Sequence, residues 1–195
     1  QDPISRLAIL HSHPEWIVSS YLDLLKNQDE VELALKANNQ PESPTLVAWP
    51  DSCKRDELIK EGGEATLYSP LGVIASKSPH EYSAIRERRA GVQDEGSQVV
   101  ALAFYQAAHH ASNMVDICAG PGGKAALLSR WSRRDGKVFV AQEVSQTRAH
   151  LVEQVVPYGQ IKVGDARELE GQWDAILADV PCTGIGALRR RPEVR

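Results

Sequence analysis

The chain of 195 residues is 42% hydrophobic and 25% charged, which is typical of a folded globular protein and argues against disorder. Its formal net charge of −4 argues against a protein that coats nucleic acid with a uniformly basic surface. The three cysteines, Cys53, Cys118 and Cys182, lie far apart, and no apolar run is long enough for a signal peptide or a membrane span. We therefore expect a cytoplasmic protein without a disulfide framework or a metal site.

The first 90 residues carry short helical and strand patterns in irregular order. The predicted elements are, in chain order, helices at 14–25 and 30–37, a strand at 45–49, a helix at 56–60 and a strand at 71–75. Pro41 and Pro44 force an extended loop after the second helix. Residues 1–90 are therefore predicted to form a small α+β subdomain, which ends before the polar, glycine-bounded stretch 91–96.

Strands and helices alternate regularly in the second half of the chain. The predicted elements are a long helix that begins at 99, a strand at 114–118, a helix at 123–131, a strand at 138–142, a helix at 145–155, and strands near 161–163 and at 175–179. This alternation is typical of a parallel, doubly wound sheet. Residues 91–195 are therefore predicted to form the N-terminal half of a Rossmann-like α/β domain.

A glycine-rich turn between the first strand and helix of this domain is the strongest local signal. Its sequence is Asp116-Ile117-Cys118-Ala119-Gly120-Pro121-Gly122-Gly123-Lys124. Glycines let the backbone approach a ligand closely, and the N–H groups of a helix start favour polar or anionic groups. A phosphate-binding P-loop would need Ser or Thr after Lys124, where Ala125 stands, and a dinucleotide site would need G-x-G-x-x-G. The turn therefore predicts another nucleotide-like cofactor, with a turn needed only for packing as the alternative.

Carboxylates end the next three predicted strands. Glu143 is spaced from the glycine turn like a carboxylate that accepts hydrogen bonds from both ribose hydroxyls of a cofactor. Asp165 closes the third strand, where it could meet the exocyclic amine of an adenine ring or serve only as a turn residue. Asp179 ends the fourth strand. Ligands of open α/β sheets bind beyond the carboxyl ends of the strands, so these side chains should converge on one crevice.

Cys182 follows Pro181 just beyond the fourth predicted strand. A cysteine at a strand end in a polar crevice is a candidate for thiolate chemistry. The alternative role, a small buried hydrophobe, fits Cys53 well and is plausible for Cys118. From the residues alone, Cys182 is therefore the candidate nucleophile.

Further motifs accompany the glycine turn. They are Asp179-Val-Pro-Cys-Thr-Gly184, Leu188-Arg-Arg-Arg-Pro192, Val92-Gln-Asp-Glu-Gly-Ser-Gln98 and Asn38-Asn-Gln-Pro41. In this combination the chain resembles the RsmB/Sun family of RNA cytosine-5 methyltransferases. The resemblance implies a Rossmann-like methyltransferase domain that binds S-adenosylmethionine, preceded at 1–90 by an RNA-binding subdomain. It also implies an RNA substrate, small-subunit ribosomal RNA, with transfer RNA as the alternative.

The resemblance also implies roles for single residues. The glycine turn would surround the methionine moiety of the cofactor, Glu143 would bind its ribose, and Asp165 would lie by its adenine. The implied cofactor-binding residues are Cys118, Ala119, Gly120, Pro121, Gly122, Gly123, Lys124, Glu143, Arg148, Asp165 and Asp179. Asp179 would also face the target cytosine, so Asp179 and Cys182 are the candidate catalytic residues.

The chemistry explains why a cysteine and a carboxyl group are needed. C5 of cytosine is a poor nucleophile, so a thiolate must first add to C6 and turn the ring into an enamine. A carboxyl group near N3 and N4, the role expected of Asp179, stabilises the developing charge. The resemblance assigns the covalent step to a cysteine in a second motif, expected beyond Arg195, and leaves Cys182 to assist product release. The chain as given is therefore expected to present the cofactor crevice without completing methylation.

Two other functions compete with this one. A non-catalytic RNA-binding module would keep the fold without the reaction and stays open. An amino-group methyltransferase would need an Asp/Asn-Pro-Pro-aromatic motif, in which Cys182 replaces the second proline and no aromatic residue follows.

Overall fold

The computed structural model describes residues 2–190 and contains two compact units. One unit joins residues 2–42 with 181–190, and the other spans 43–180. Arg191 and Pro192 of the C-terminal motif lie outside the described residues, as does the expected nucleophile motif.

The first unit is helical. Its α-helices among the described residues are α1 (Pro3–His11), α2 (Glu15–Leu25) and α3 (Gln28–Asn38). The side chain of Asp2 accepts the backbone N–H of Ser5 at the start of α1, and Asn27 caps α3 in the same way. Apolar side chains from all three helices meet in a small core that contains Leu7, Ile17, Val18, Val31, Leu35 and Leu188.

The second unit begins with a small antiparallel sheet. Its elements are β1 (Thr45–Ala48), α4 (Arg55–Lys60), β2 (Glu64–Ala65), β3 (Gly72–Ile74), α5 (Ser83–Arg86) and β4 (Ala90–Val92). The strand order is β2-β3-β1-β4, with Leu46 of β1 opposite Val73 of β3 and Val92 of β4. The core on this sheet includes Leu46, Leu58, Val73 and Tyr82.

A parallel sheet with helices forms the rest of the second unit. Its elements are α6 (Glu95–Ala107), β5 (Asn113–Asp116), α7 (Gly123–Arg134), β6 (Val138–Glu143), α8 (Gln146–Val155), β7 (Gln160–Val163) and β8 (Ala175–Leu177). The strand order is β7-β6-β5-β8, and every pair is parallel. The chain thus winds outward from β5 in one direction and returns to add β8 on its other side. This reversal is the switch point at which open α/β sheets bind ligands.

The predicted Rossmann-like α/β architecture is confirmed, and the differences lie at the ends of elements. α6 begins at Glu95 rather than at 99, and α7 continues to Arg134. Four of the helices and strands named above had no counterpart in the prediction: β2, α5, β4 and α1, although Asp2-Pro3 is a typical helix start. None of the helices within residues 2–190 is both long and apolar enough to cross a membrane.

The division into compact units differs from the boundary predicted at residue 90. The stretch 91–96, expected to mark the domain junction, begins inside β4, which pairs with β1 and leads into α6 after only two residues. Backbone pairing therefore ties residues 43–90 to the parallel-sheet segment in one compact unit. The functional division into an RNA-binding subdomain and a methyltransferase half stays a prediction.

Candidate functional site

The glycine turn runs from the end of β5 into the start of α7 and is held against β6. The backbone N–H of Ala119 donates to the carbonyl of Gln142 over 2.9 Å, and the N–H of Gly122 donates back to Ala119 over 2.7 Å. Gly122 has a φ of +110°, and a Cβ there would lie 2.4 Å from Val155 of α8. Only glycine fits a left-handed position packed this closely, so the turn and α8 approach each other through that residue.

Glu143, at the end of β6, binds the backbone of the turn. Its carboxylate is buried and accepts the backbone N–H groups of Gly120 and Ser145, each over 3.0 Å. The Arg148 guanidinium donates to the Gly120 carbonyl, and its Nε lies 3.7 Å from Glu143 Oε2. A Cβ on Gly120 would lie 2.3 Å from that same carboxylate oxygen. Glu143 and Arg148 therefore clamp Gly120 in a space that only a glycine can occupy.

Asp116, the last residue of β5, lies beneath the turn and is 1% exposed. Burial raises the pKa of its carboxyl group to about 7, although the N–H of Cys118, 3.2 Å from Oδ1, and the charge of Lys124 act in the opposite direction. Burial and the nearby Asp116 also raise the pKa of the half-buried Cys118 thiol. A thiol with a raised pKa is a poor nucleophile, so Cys118 is suited to lining the turn rather than to covalent chemistry.

Lys124 and Asp179 form an ion pair across the switch point between β5 and β8. The ammonium group of Lys124 donates to Asp179 Oδ2 over 2.5 Å. Lys124 is mostly buried, whereas the side chain of Asp179 is 54% exposed. Lys124 thus binds one oxygen of a carboxylate whose side chain is more than half exposed.

Asp165 follows β7 and faces Arg167. Its carboxylate accepts the backbone N–H of Arg167 over 2.9 Å and the guanidinium Nε over 3.0 Å, and these contacts lower its pKa to about 2. The side-chain amide of Gln142 donates to the Asp165 carbonyl over 2.8 Å. Asp165 therefore stays ionised, and β6 fixes the backbone of its loop.

The sequence prediction missed three neighbours of this site. Gln142 and Arg167 position Asp165, and Val144, directly after Glu143, is an apolar side chain that is 66% exposed. The place of Val144 directly after a strand-end Glu was the available signal.

The structure brings most of the predicted residues together. The turn from Cys118 to Lys124, including Pro121 and Gly123, lies with Glu143, Arg148 and Asp179 at the carboxyl edge of the parallel sheet, and Asp165 ends the neighbouring strand. Cys182 is exposed and belongs to the first unit, whereas the other predicted residues belong to the second. No group of three or more potential metal ligands occurs within residues 2–190.

Comparisons with known proteins relate the second half of the chain to one family. Residues 103–195 match the family model described as 16S rRNA methyltransferase RsmB/F. The whole chain aligns with a putative methyltransferase of Mycobacterium tuberculosis, MT1451, at 38% identity, and covers 44% of that protein. The chain therefore spans less than half the length of this curated relative.

Two solved structures share the fold. The crystal structure of PH0851 superposes on all of this chain with a TM-score of 0.80 at 22% identity, and 47% of that protein is covered. The crystal structure of NSun6 from Pyrococcus horikoshii with SFG superposes on 88% of the chain with a TM-score of 0.68 at 14% identity, and 71% of that protein is covered. At these identities the similarity establishes the fold alone.

Proposed function

Because the chain belongs to the RsmB/Sun methyltransferase family, we propose that it carries the S-adenosylmethionine site of a cytoplasmic RNA cytosine-5 methyltransferase. The proposed substrate is small-subunit ribosomal RNA, as the description of the matching family suggests. Residues 1–90 would contribute to RNA binding. The observation that carries the proposal is the clamp of Glu143 and Arg148 on Gly120, beside the switch point of the sheet.

The residues at the turn fit such a cofactor. Gly120 and Gly122 let the turn pack closely against Glu143 and Val155, where a Cβ would collide, and so hold its backbone at the carboxyl edge of the sheet. Glu143 uses both carboxylate oxygens for backbone N–H groups, yet each oxygen keeps a second lone pair for a ribose hydroxyl. The exposed side chain of Val144 offers an apolar surface for the adenine ring. The SFG-bound NSun6 structure with the same fold supports this type of ligand.

The remaining contacts concern the two ends of the cofactor. Asp165 is ionised and can accept a hydrogen bond from the adenine amino group, while Arg167 keeps it oriented. Asp116 and Lys124 lie at the other end, where the methionine carboxylate and ammonium groups would be bound. When bound, S-adenosylmethionine supplies an electrophilic methyl group.

The ion pair of Lys124 and Asp179 would receive the target base. Lys124 binds Oδ2 of Asp179, and the free Oδ1 can accept the N4–H of cytosine. Uracil has no amino group at this position and cannot make this contact. A cysteine thiolate adds to C6 of the base, and the neighbouring charged groups stabilise the ring as charge develops at N3. Cys182 is proposed to assist release of the product rather than to form this bond.

Calorimetric titration with S-adenosylmethionine tests the cofactor site. Glu143→Gln removes the charge that a ribose hydroxyl would meet, and a charged hydrogen bond contributes about 1.5–3 kcal/mol, so affinity should fall at least about tenfold. Glu153→Gln on the exposed face of α8 is the matched control and should bind like the wild type. Absence of cofactor binding by the folded wild-type chain, or equal affinity of both variants, would contradict the proposal.

The substrate is tested in cells. Bisulfite sequencing of small-subunit ribosomal RNA should show one cytosine that is protected in the wild type and converted after deletion of the gene. An unchanged pattern in ribosomal RNA with a lost signal in transfer RNA would move the substrate to transfer RNA. Unchanged patterns in both would favour the non-catalytic RNA-binding module.

A further inference from the structure

The loop between β2 and β3 presents two adjacent apolar side chains to solvent. Leu67 is 80% exposed and Tyr68 is 73% exposed, the highest values among the large apolar residues described in the second unit. Within residues 2–190, no other aromatic ring or cation lies over the Tyr68 ring. Neighbouring exposed apolar side chains on one loop indicate a contact surface more strongly than isolated ones do.

Polar contacts anchor this loop to α6. The Glu95 carboxylate accepts the backbone N–H groups of Tyr68 and Ser69 over 2.5 and 2.9 Å. The Ser69 hydroxyl donates to the side-chain amide of Gln98 over 2.6 Å, and Ser69 and Gln98 are 3% and 1% exposed. A Cβ on Gly72 would lie 2.2 Å from the neighbouring Thr66 hydroxyl. The loop is therefore preorganised, which lowers the entropy cost of a contact made through it.

The loop also lies at the functional edge of the unit. Glu95 occupies the first turn of α6, and Gln93, just before it, lies 3.5 Å from the position of a Cβ on Gly123. Gly123 begins α7, and the next residue is Lys124, which binds Asp179. The Tyr68 loop and the base-receiving ion pair are thus connected through one short segment at the carboxyl edge of the parallel sheet.

We propose that Tyr68, supported by Leu67, is a stacking platform for an unpaired base of the RNA substrate beside the target nucleotide. This inference rests on the proposed function and adds a binding residue to it. Single-stranded RNA is recognised chiefly by bases that stack on exposed aromatic side chains, and every base offers a flat face for such a contact. An exposed tyrosine whose backbone is bound to the first turn of α6, the segment that also contacts the start of α7, meets these requirements.

Fluorescence anisotropy with a labelled single-stranded oligoribonucleotide that contains one cytosine tests the platform. Stacking of one base contributes about 1–3 kcal/mol, so Tyr68→Ala should weaken RNA binding between about 5-fold and about 150-fold, whereas Tyr68→Phe should bind like the wild type. Tyr158→Ala is the matched control, because Tyr158 is also exposed but precedes β7, at the opposite edge of the sheet. Its RNA affinity should not change.

Titration of the same variants with S-adenosylmethionine separates the platform from the cofactor site. Unchanged cofactor affinity together with the RNA defect of Tyr68→Ala supports the platform. Equal RNA affinities for Tyr68→Ala and the wild type overturn it while the cofactor site stands. A loss of cofactor binding in Tyr68→Ala also overturns it, because Tyr68 would then act on the fold. A wild-type chain that binds the cofactor but not the oligoribonucleotide rejects the platform, and one that binds neither rejects the proposed function as well.

Discussion

Replacing Asp116 by Asn should stabilise the protein at neutral and alkaline pH. Burial raises the pKa of the Asp116 carboxyl group to about 7 from 3.8. The folded protein therefore keeps a proton that the unfolded chain has released, and the free energy of unfolding falls as the pH rises from about 4 to about 7. At about 1.4 kcal/mol per pH unit, the carboxylate costs roughly 4 kcal/mol above pH 7. This is a large fraction of the ~5–15 kcal/mol that stabilises a typical domain.

Asparagine keeps the shape and the acceptor of Asp116 without the charge. Its oxygen can still accept the Cys118 N–H, which lies 3.2 Å from Oδ1 in the wild type. The variant should match the wild type near pH 4 and exceed it by up to roughly 4 kcal/mol at pH 8, because only the wild type must bury an ionised group.

Urea unfolding followed by tryptophan fluorescence measures this difference. The pH values 4.5, 6 and 8 sample the beginning, the middle and the end of the expected loss of stability. Asp174→Asn is the control, because Asp174 is an exposed carboxylate at the other end of β5 that accepts the N–H groups of Ser112 and Asn113. If Asp116→Asn keeps the wild-type slope between pH 4.5 and 8, the burial argument for Asp116 is wrong.

Two further substitutions test the turn and the loop. Gly120→Ala should destabilise the fold by about 1–3 kcal/mol in urea unfolding and abolish cofactor binding, because its Cβ would lie 2.3 Å from Glu143 Oε2. Gly96→Ala, whose Cβ meets no atom within 4 Å, should leave both quantities unchanged or slightly raise stability, and a Gly120→Ala variant that behaves like it would refute the clamp. Glu95→Ala should speed amide exchange of Tyr68 and Ser69 about tenfold or more in hydrogen-exchange mass spectrometry, and unchanged exchange would show that the carboxylate does not hold the loop.

Local sequence patterns were sufficient for the elements of the parallel sheet. Each strand there combines several apolar residues and is followed by a turn or helix signal, so β5, β6 and β7 were predicted to within two residues. β4 was missed because it has only three residues and exists through its pairing with β1. The boundary between compact units was not predictable either, since it depends on which distant segments pair.

For the candidate site, the sequence indicated the residues and the structure supplied their partners. The glycines predicted close approach of the backbone to a ligand, and the structure shows that the side chains of Glu143 and Arg148 contact Gly120 closely. Tyr68 gave no signal in the sequence, because its exposure and the carboxylate of Glu95 that fixes its backbone come from different elements.

The sequence by itself determined the order of strands and helices, the glycine turn and the polar residues at the strand ends, because these follow from periodicity and backbone preferences over a few residues. Only the tertiary structure decided which charges these residues carry and which contacts they keep free. Burial raises the pKa of Asp116 to about 7, while Arg167 lowers that of Asp165 to about 2. Two aspartates that look alike in the sequence thus differ in charge state because solvation and ion pairing depend on residues brought together by folding.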